Sequence, residues 1–472
     1  MKIVGRGLVG ALLMMVASLP LVTAQAEPPL AADQGGAADT VVYGAEFNFA
    51  AAWLPNGLPA TLGALDQLAW ALPMLQARFG LAAGNGWSAY ATVDLIKEHH
   101  LDSIFNIAIG PTGNPFPIEN NFASEGVLRY DNPQLSIILG RQAASQGPST
   151  LSNLQVTRHL PYLDALRVEV RLGPDWSFSQ IVASLENRAV LGDVTLPVID
   201  GQPIDGYDFE TTNIWLSSRR FALRGDWFEF GIGALSLVSR PYNAFHIGDI
   251  LPVFSMHNGN PGWHNLSLHA DFSVDLWPGQ RQYLIAGLDD FNANLVGIGD
   301  GGVPTIWAVI LGGDGTVEFG GLNLKYGLEM AATHYLWGNF HAHHILSRAL
   351  YRYAIDWPLL LPLTSPYGPG RLSFAGEASL ALPWQLALQL SGLLLFGDPD
   401  INLVTTSYEV QVTETEFLLG RMDLRVSRTL FDGLTAYLSG GLDFLPGGLE
   451  WRIQAGAAWK ISVGSVFKAE NR

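Results

Sequence analysis

The stretch from Phe417 to Ile461 constrains this chain most. It holds three long runs of strictly alternating polarity joined by two turns. In the first run Leu418, Gly420, Met422, Leu424 and Val426 share one face, opposite Phe417, Leu419, Arg421, Asp423, Arg425 and Ser427. Phe431-Asp432-Gly433 turns the chain. Leu434, Ala436, Leu438, Gly440, Leu442 and Phe444 then oppose Thr435, Tyr437, Ser439, Gly441 and Asp443. After Leu445-Pro446-Gly447-Gly448 the third run sets Leu449, Trp451, Ile453, Ala455, Ala457, Trp459 and Ile461 against Glu450, Arg452, Gln454, Gly456, Ala458 and Lys460. Side chains alternate across a strand, so each run is a strand with one apolar and one polar face. Ordinary strands are about 5–6 residues long, whereas a tilted strand needs about 9–11 to cross a bilayer. These runs have the longer length, and their polar faces carry charges of both signs, as a wet lumen allows. Hydrocarbon admits strands only as a closed barrel, because every backbone group must be paired. The pattern predicts a transmembrane antiparallel β-barrel. The competing reading is a large soluble β-sandwich.

The first residues support export. Lys2 and Arg6 precede an apolar core from Leu8 to Val22, and Ala24-Gln25-Ala26 offers a small-x-small cleavage site. Residues 1–26 are therefore expected to be a signal peptide. Lys2 and Arg6 are its only charges, so its removal takes the formal net charge from −17 to −19. That argues against nucleic acid as a partner and against a basic patch for anionic lipid. With no cysteine there is no disulfide framework and no thiol chemistry. Charged residues make up only 15% of the chain, against 52 glycines and 14 tryptophans, a balance that fits an outer-membrane barrel.

The chain is expected to divide into the signal peptide, a flexible periplasmic leader over 27–40, one barrel over 41–467 and a short tail over 468–472. Leu62, Leu65, Leu68, Ala69 and Leu72 recur at helical spacing, so a short amphipathic rim helix is expected near 58–76, an apolar strand being the other reading. Gly84-Asn85-Gly86, Asp131-Asn132-Pro133, Gly173-Pro174-Asp175, Leu223-Arg224-Gly225, Pro278-Gly279-Gln280 and Pro383-Trp384 read as tight turns between strands. Ala234 to Gly262 mixes helical and turn signals. Asn265 to Trp277 is a clean strand, with Leu266, Leu268, Ala270, Phe272 and Val274 outward and Asn265, Ser267, His269, Asp271, Ser273 and Asp275 inward. The count comes to roughly 16–18 strands. Gln142 to Pro161, rich in Ser, Gln, Gly and Asn, is long for a structureless connection, which marks it as functional.

Chemical motifs are sparse. There is no P-loop, no Gly-x-Ser-x-Gly elbow and no Cys/His zinc pattern. His341, His343 and His344 form a metal-like cluster, but an exposed His-rich loop accounts for it better, and His99-His100 has less to recommend it. Asp289-Asp290 resembles a carboxylate pair. Neighbours on a strand point to opposite faces, however, so a strand-end pair is the simpler reading. Arg141 is placed to bond a carboxylate or a sugar. Arg421, Asp423, Arg425 and Arg452 are expected to form a lumen charge network across adjacent strands. No catalytic residue, metal or cofactor is expected.

Several segments in order resemble the Wzi-type capsule assembly family. They are Gly140-Arg141-Gln142, Gln146-Gly147-Pro148, Asn153-Leu154 and Pro161-Tyr162-Leu163-Asp164-Ala165-Leu166-Arg167. Ser218-Arg219-Arg220-Phe221, Asn265-Leu266, Tyr283, Asp289-Asp290-Phe291, and Glu329 followed by Tyr335-Leu336-Trp337 continue the series. Gln146 stands where the family has Trp, and Arg219 where it has His. The resemblance spans about Glu125 to Trp337. It implies an 18-stranded outer-membrane barrel plugged by its loops, with a small periplasmic helical element and a lectin-like role in holding capsular or exported polysaccharide. The polysaccharide-binding candidates are Arg141, Gln146, Asn153, Arg158, Asp164, Arg167, Trp263, Asp289 and Asp290. Tyr207, Tyr242 and Trp263, beside Asn, Gln and Asp in long loops, suit sugar faces and hydroxyls. A porin-like channel for small solutes or sugars is the alternative. The expected partners are outer-membrane lipid and lipopolysaccharide, the polysaccharide and the barrel assembly machinery, for a monomer in the outer membrane of a Gram-negative-type bacterium.

Overall fold

A computed structural model describes residues 41–53, 75–95, 123–185, 213–240, 247–249, 251, 263–290, 304–339, 348–353, 359–365, 367–403, 406, 414–431 and 433–464. The expected signal peptide, leader, tail and His clusters, and the Gly206–Thr211 and Tyr242 loop regions, lie outside them. So does nearly all of the expected helix near 58–76; its last residues, Leu75 and Gln76, open a strand.

Eighteen strands make one antiparallel sheet. In chain order they are β1 (Val41–Trp53), β2 (Leu75–Ala83), β3 (Trp87–Leu95), β4 (Ala123–Asp131), β5 (Leu135–Gln142), β6 (Leu163–Arg171), β7 (Trp176–Leu185), β8 (Asn213–Arg224), β9 (Phe228–Arg240), β10 (Trp263–Trp277), β11 (Gln280–Asp290), β12 (Ile306–Phe319) and β13 (Leu322–Thr333). A small separate hairpin, β14 (Leu350–Tyr353) and β15 (Leu359–Pro362), follows. The barrel then resumes with β16 (Arg371–Leu382), β17 (Leu386–Gly397), β18 (Glu416–Phe431), β19 (Leu434–Leu445) and β20 (Gly448–Gly464). Each strand pairs with its sequence neighbour in the barrel, and β1 also pairs with β20, Phe47 opposite Ile461, so the sheet closes on itself. Closure leaves no edge, as hydrocarbon requires.

One rim carries the start of β1, the end of β20 and tight turns such as 84–86, 172–175 and 278–279. The other carries the long connections. Periplasmic turns and outer loops have this asymmetry. The alternation expected from sequence is present. Leu268, Leu284, Leu438 and Ile453 are exposed on the outer face, while Asp271, Tyr283, Arg421, Arg452 and Gln454 are buried inside. Trp87, Trp176, Trp227, Trp277 and Trp384 stand exposed at the tight-turn rim, as a girdle.

The register also fixes depth. A row of paired outward residues runs from Trp87 through Tyr130, Ile137, Val168, Gln180, Arg219, Ala234, Leu268 and Leu288 to Trp307. Because the strands tilt, this row climbs the wall from the girdle at the tight-turn rim to a tryptophan at the long-loop rim.

Three local readings need correction. Ala234 to Arg240 continues β9, because its residues are paired with β8 and with β10 on its two sides. The turn between β8 and β9 is 225–227, not Leu223 to Gly225. Phe417 stacks edge-on with Phe396, which in turn meets Phe374. Leu395 faces Leu419 and Phe396 faces Phe417, so Leu418 bulges from β18 and Phe417 moves from the lumen face to the apolar one.

Candidate functional site

The connection 143–162 folds into the lumen and crosses it. Its shape is set locally. An isolated bridge pairs Gln146 with Val156. Between them Gly147 has φ +128° and Asn153 φ +142°. A Cβ on Gly147 would fall 2.4 Å from Asn153 Oδ1, so only glycine fits. Asn153 Oδ1 accepts from the Ser149 amide at 3.0 Å, and its Nδ2 donates to the Ser149 carbonyl. Ser149 Oγ accepts from the amides of Leu151 and Ser152. The loop thus supplies partners for several of its own backbone groups, as a buried irregular segment needs.

Polar contacts fasten this plug to widely separated strands. Gln146 Nε2 donates to Ser179 Oγ at 2.8 Å on β7, and its Oε1 accepts from Ser218 on β8. Gln155 Nε2 donates to the Arg219 carbonyl at 3.0 Å. Across the lumen, Glu329 on β13 accepts from the hydroxyls of Ser149, Ser152 and Tyr283. Leu154, fully buried, packs with Tyr283, Ile310 and Trp337, and Leu151 packs with Ala375 and Leu393. A second inward connection caps the plug. The Thr157 amide donates to the Leu363 carbonyl, and Leu350, Tyr351, Leu361 and Leu363 share one core with Val156, Leu163, Ile214 and Leu237. A cavity of about 10 Å³, room for one water, remains beside Asn265, Ser267, Asp289 and Trp337.

Charged groups line the plug's flank. Arg158 donates to the Ser149 carbonyl, and burial lowers its pKa against the pull of Glu377. Arg281 pairs with Asp314 at 2.8 Å, and Thr150 donates to the same carboxylate. Burial pushes the neighbouring His159 imidazole down to about 4.

The candidates named from sequence do not form one site. Gln146, Asn153 and Arg158 are in the plug. Arg141 and Asp164 form a two-pronged ion pair at 2.8 and 2.9 Å, with the guanidinium 4.1 Å from the Tyr162 ring. Leu163 and Ala165 point into the core, so Asp164 between them points away from it. Arg167 lies inward on β6, level with Ile138 and Ile181. Trp263 opens β10 opposite Ser239. Asp289 accepts from the Gly338 amide at 2.8 Å, and Asp290 pairs with Ile306 beyond a bulge. In the expected charge network, Arg421 pairs with Asp443, and Arg452 bridges Asp443 and Asp423. Arg425 stands apart, 4.0 Å over the Tyr437 ring, because Asp443 holds the arginines nearer the long-loop rim. Sequence reasoning missed Asp443 as the hub, and missed Glu329, Ser149 and Ser152 as the plug's fastening. Asp443 and Glu329 showed only as acids on the polar faces of strands, Glu329 also as part of the resemblance, and Ser149 and Ser152 only as members of a polar connection. Among the described residues no group of three or more His, Asp or Glu is placed to hold a metal.

A closed antiparallel barrel with an apolar belt, an aromatic girdle and a lumen filled by its own loops defines a membrane barrel of the outer-membrane type. No family model and no curated protein matches the sequence. Among solved structures, the chain is similar to Wzi of Escherichia coli, an outer-membrane protein involved in group 1 capsule assembly and described as a carbohydrate-binding β-barrel. The TM-score is 0.53 and the identity 13%, over 89% of this chain and 84% of that one. OpdK of Pseudomonas aeruginosa gives 0.42 at 10% identity over 90% and 99%, and OprD of the same organism 0.42 at 9% over 91% and 98%. At these identities the likeness concerns the fold.

Proposed function

We propose that this chain is an outer-membrane protein that binds or organises capsular or exported polysaccharide at the cell surface, without enzymatic activity. The observation that carries the reading is the plug. A loop fastened to β7, β8 and β13 and cored by Leu154 occupies the lumen where a solute would pass. The similarity in fold to a carbohydrate-binding barrel agrees with it. On this reading residues 1–26 are cleaved and the mature chain works as a monomer in the outer membrane of a Gram-negative-type bacterium, among lipopolysaccharide and after insertion by the barrel assembly machinery.

A channel for small solutes or sugars is the second reading, favoured by Arg158, Glu377 and Arg425, charges on the lumen side that are only partly buried. One pair of measurements separates the two. Folded protein in planar bilayers should give near-zero current and should retain surface glycan from the host strain on a column. Stable ohmic steps without glycan retention would replace the proposal with the channel.

A further inference from the structure

Arg219 points out of the barrel. Its neighbour Ser218 bonds Gln146 in the lumen, so Arg219 faces the opposite way, as does Ser236 two residues beyond its partner Ala234. The register row gives its depth: five steps from Trp87 and four from Trp307. An outward arginine midway between the aromatic rims sits at the depth where lipid tolerates it least. Yet Arg219 is only 1% exposed, and Ser217 and Ser236 are equally hidden.

The cover comes from the connection after β9, which leaves from the long-loop rim. Its 3₁₀ turn Ile247–Asp249 lies against the outer wall, where the Asp249 carbonyl accepts from Arg219 at 3.1 Å. Arg219 also donates to Ser236 Oγ, and Gln180 to Ser217 Oγ. Asp249 is buried, whereas Ile247 is 62% and Leu251 41% exposed, matching the wall residues Ile232 and Leu268. The Leu251 amide returns to the Ile247 carbonyl. Asp249 is thus turned inward, the Leu251 amide and Ile247 carbonyl satisfy each other, and the Ile247 and Leu251 side chains turn out. That is the arrangement hydrocarbon demands of any backbone it contacts.

We infer that the strap around Ile247–Leu251 lies outside the barrel in the outer half of the bilayer, presenting Ile247 and Leu251 to lipid acyl chains and sealing Ser217, Arg219 and Ser236 from them. The inference is independent of whether the lumen conducts or binds glycan.

The chain has no cysteine, so I247C and L251C each give a single attachment point for a fluorophore. L268C marks the lipid-facing wall and D175C a turn in water. The labelled proteins go into phosphatidylcholine vesicles whose acyl chains carry a mid-chain nitroxide. Labels at 247 and 251 should be quenched at least half as strongly as at 268, and by aqueous iodide less than half as strongly as at 175. Quenching by iodide with no response to the nitroxide would place the strap in water and overturn the inference. Disulfide-linked dimers of I247C without lipid quenching would assign the surface to a second copy and overturn it equally. If the labelled variants lose heat-modifiable migration, the unsubstituted protein is photolabelled with an acyl-chain diazirine. Insertion between 247 and 251 is expected, and labelling of Leu268 with none in the strap would refute it.

Discussion

Replacing Glu329 by alanine should release the plug. This carboxylate receives hydroxyl hydrogen bonds from Ser149 and Ser152 of the plug and from Tyr283 of the wall, the last at 3.0 Å. A hydrogen bond to a charged group is worth about 1.5–3 kcal/mol net, and a buried hydroxyl left unpaired costs about 1–3 kcal/mol. Two bonds join plug to wall, and their energies are not additive, so roughly 3–5 kcal/mol of docking energy is lost. That is a factor of about 10² to a few 10³ in the docking equilibrium. Ala144, buried where the plug begins, supplies a reporter. In A144C the thiol should react with a membrane-impermeant maleimide only when the plug opens, and E329A should raise the rate by about the same factor. E329Q keeps one acceptor oxygen and should raise it far less. An unchanged rate in E329A, with the barrel still heat-modifiable, would refute the idea that this carboxylate fastens the plug.

Asp443→Asn should destabilise the barrel by about 3–5 kcal/mol, and more than Asp423→Asn does, because Asp443 is shared by Arg421 and Arg452; urea unfolding checks it. Arg425→Ala, which loses the stack on Tyr437, should lower the unfolding free energy from the same urea titration by about 1 kcal/mol or less. Gly147→Ala should weaken plug docking by about 1–3 kcal/mol, through positive φ and collision with Asn153, read by the same A144C rate. For His159, the docked pKa of about 4 lies below the ordinary value near 6.5. Docking is therefore fully favoured above about pH 6.5 and weakens as pH falls towards 4, where the undocked loop binds the extra proton. The ratio of A144C rates between the native histidine and H159Q should rise over that window, and a flat ratio would contradict it.

Much of the barrel was legible because a strand in a membrane wall obeys a local rule. Each side chain of β10, β18, β19 and β20 meets either lipid or lumen, so polarity alone assigns its face. Phe417 escaped because the unpaired Leu418 shifts the alternation within β18, and an apolar residue among apolar residues does not announce a bulge. The strand nature of Ala234 to Arg240 was obscured because its outward face reads Ala234, Ser236 and Val238 under the strap, which removes the contrast that lipid would impose. The plug was flagged by length, by composition and by the resemblance of Gln146-Gly147-Pro148 and Asn153-Leu154, none of which says what it touches. Its contacts join residues separated by up to 180 positions, as Ser149 and Glu329 are, and no local pattern encodes such a meeting. Arg425 was grouped with its neighbours by spacing, and the choice between a carboxylate and a ring depended on where Asp443 fell.

The seam between β1 and β20 sets how this polypeptide can be cut and rejoined. Gly44 lies opposite Gly464, and Lys460 pairs with Glu46 at 2.9 Å, so the first and last strands are ordinary neighbours emerging at the same rim. A short linker between them would make a circle of equivalent hairpins. New ends could then be opened in any outer connection that does not enter the lumen, such as the short turn between β19 and β20. The same cut in 143–162 would sever the bridge between Gln146 and Val156. The wall is thus indifferent to where the chain begins, and the plug is not.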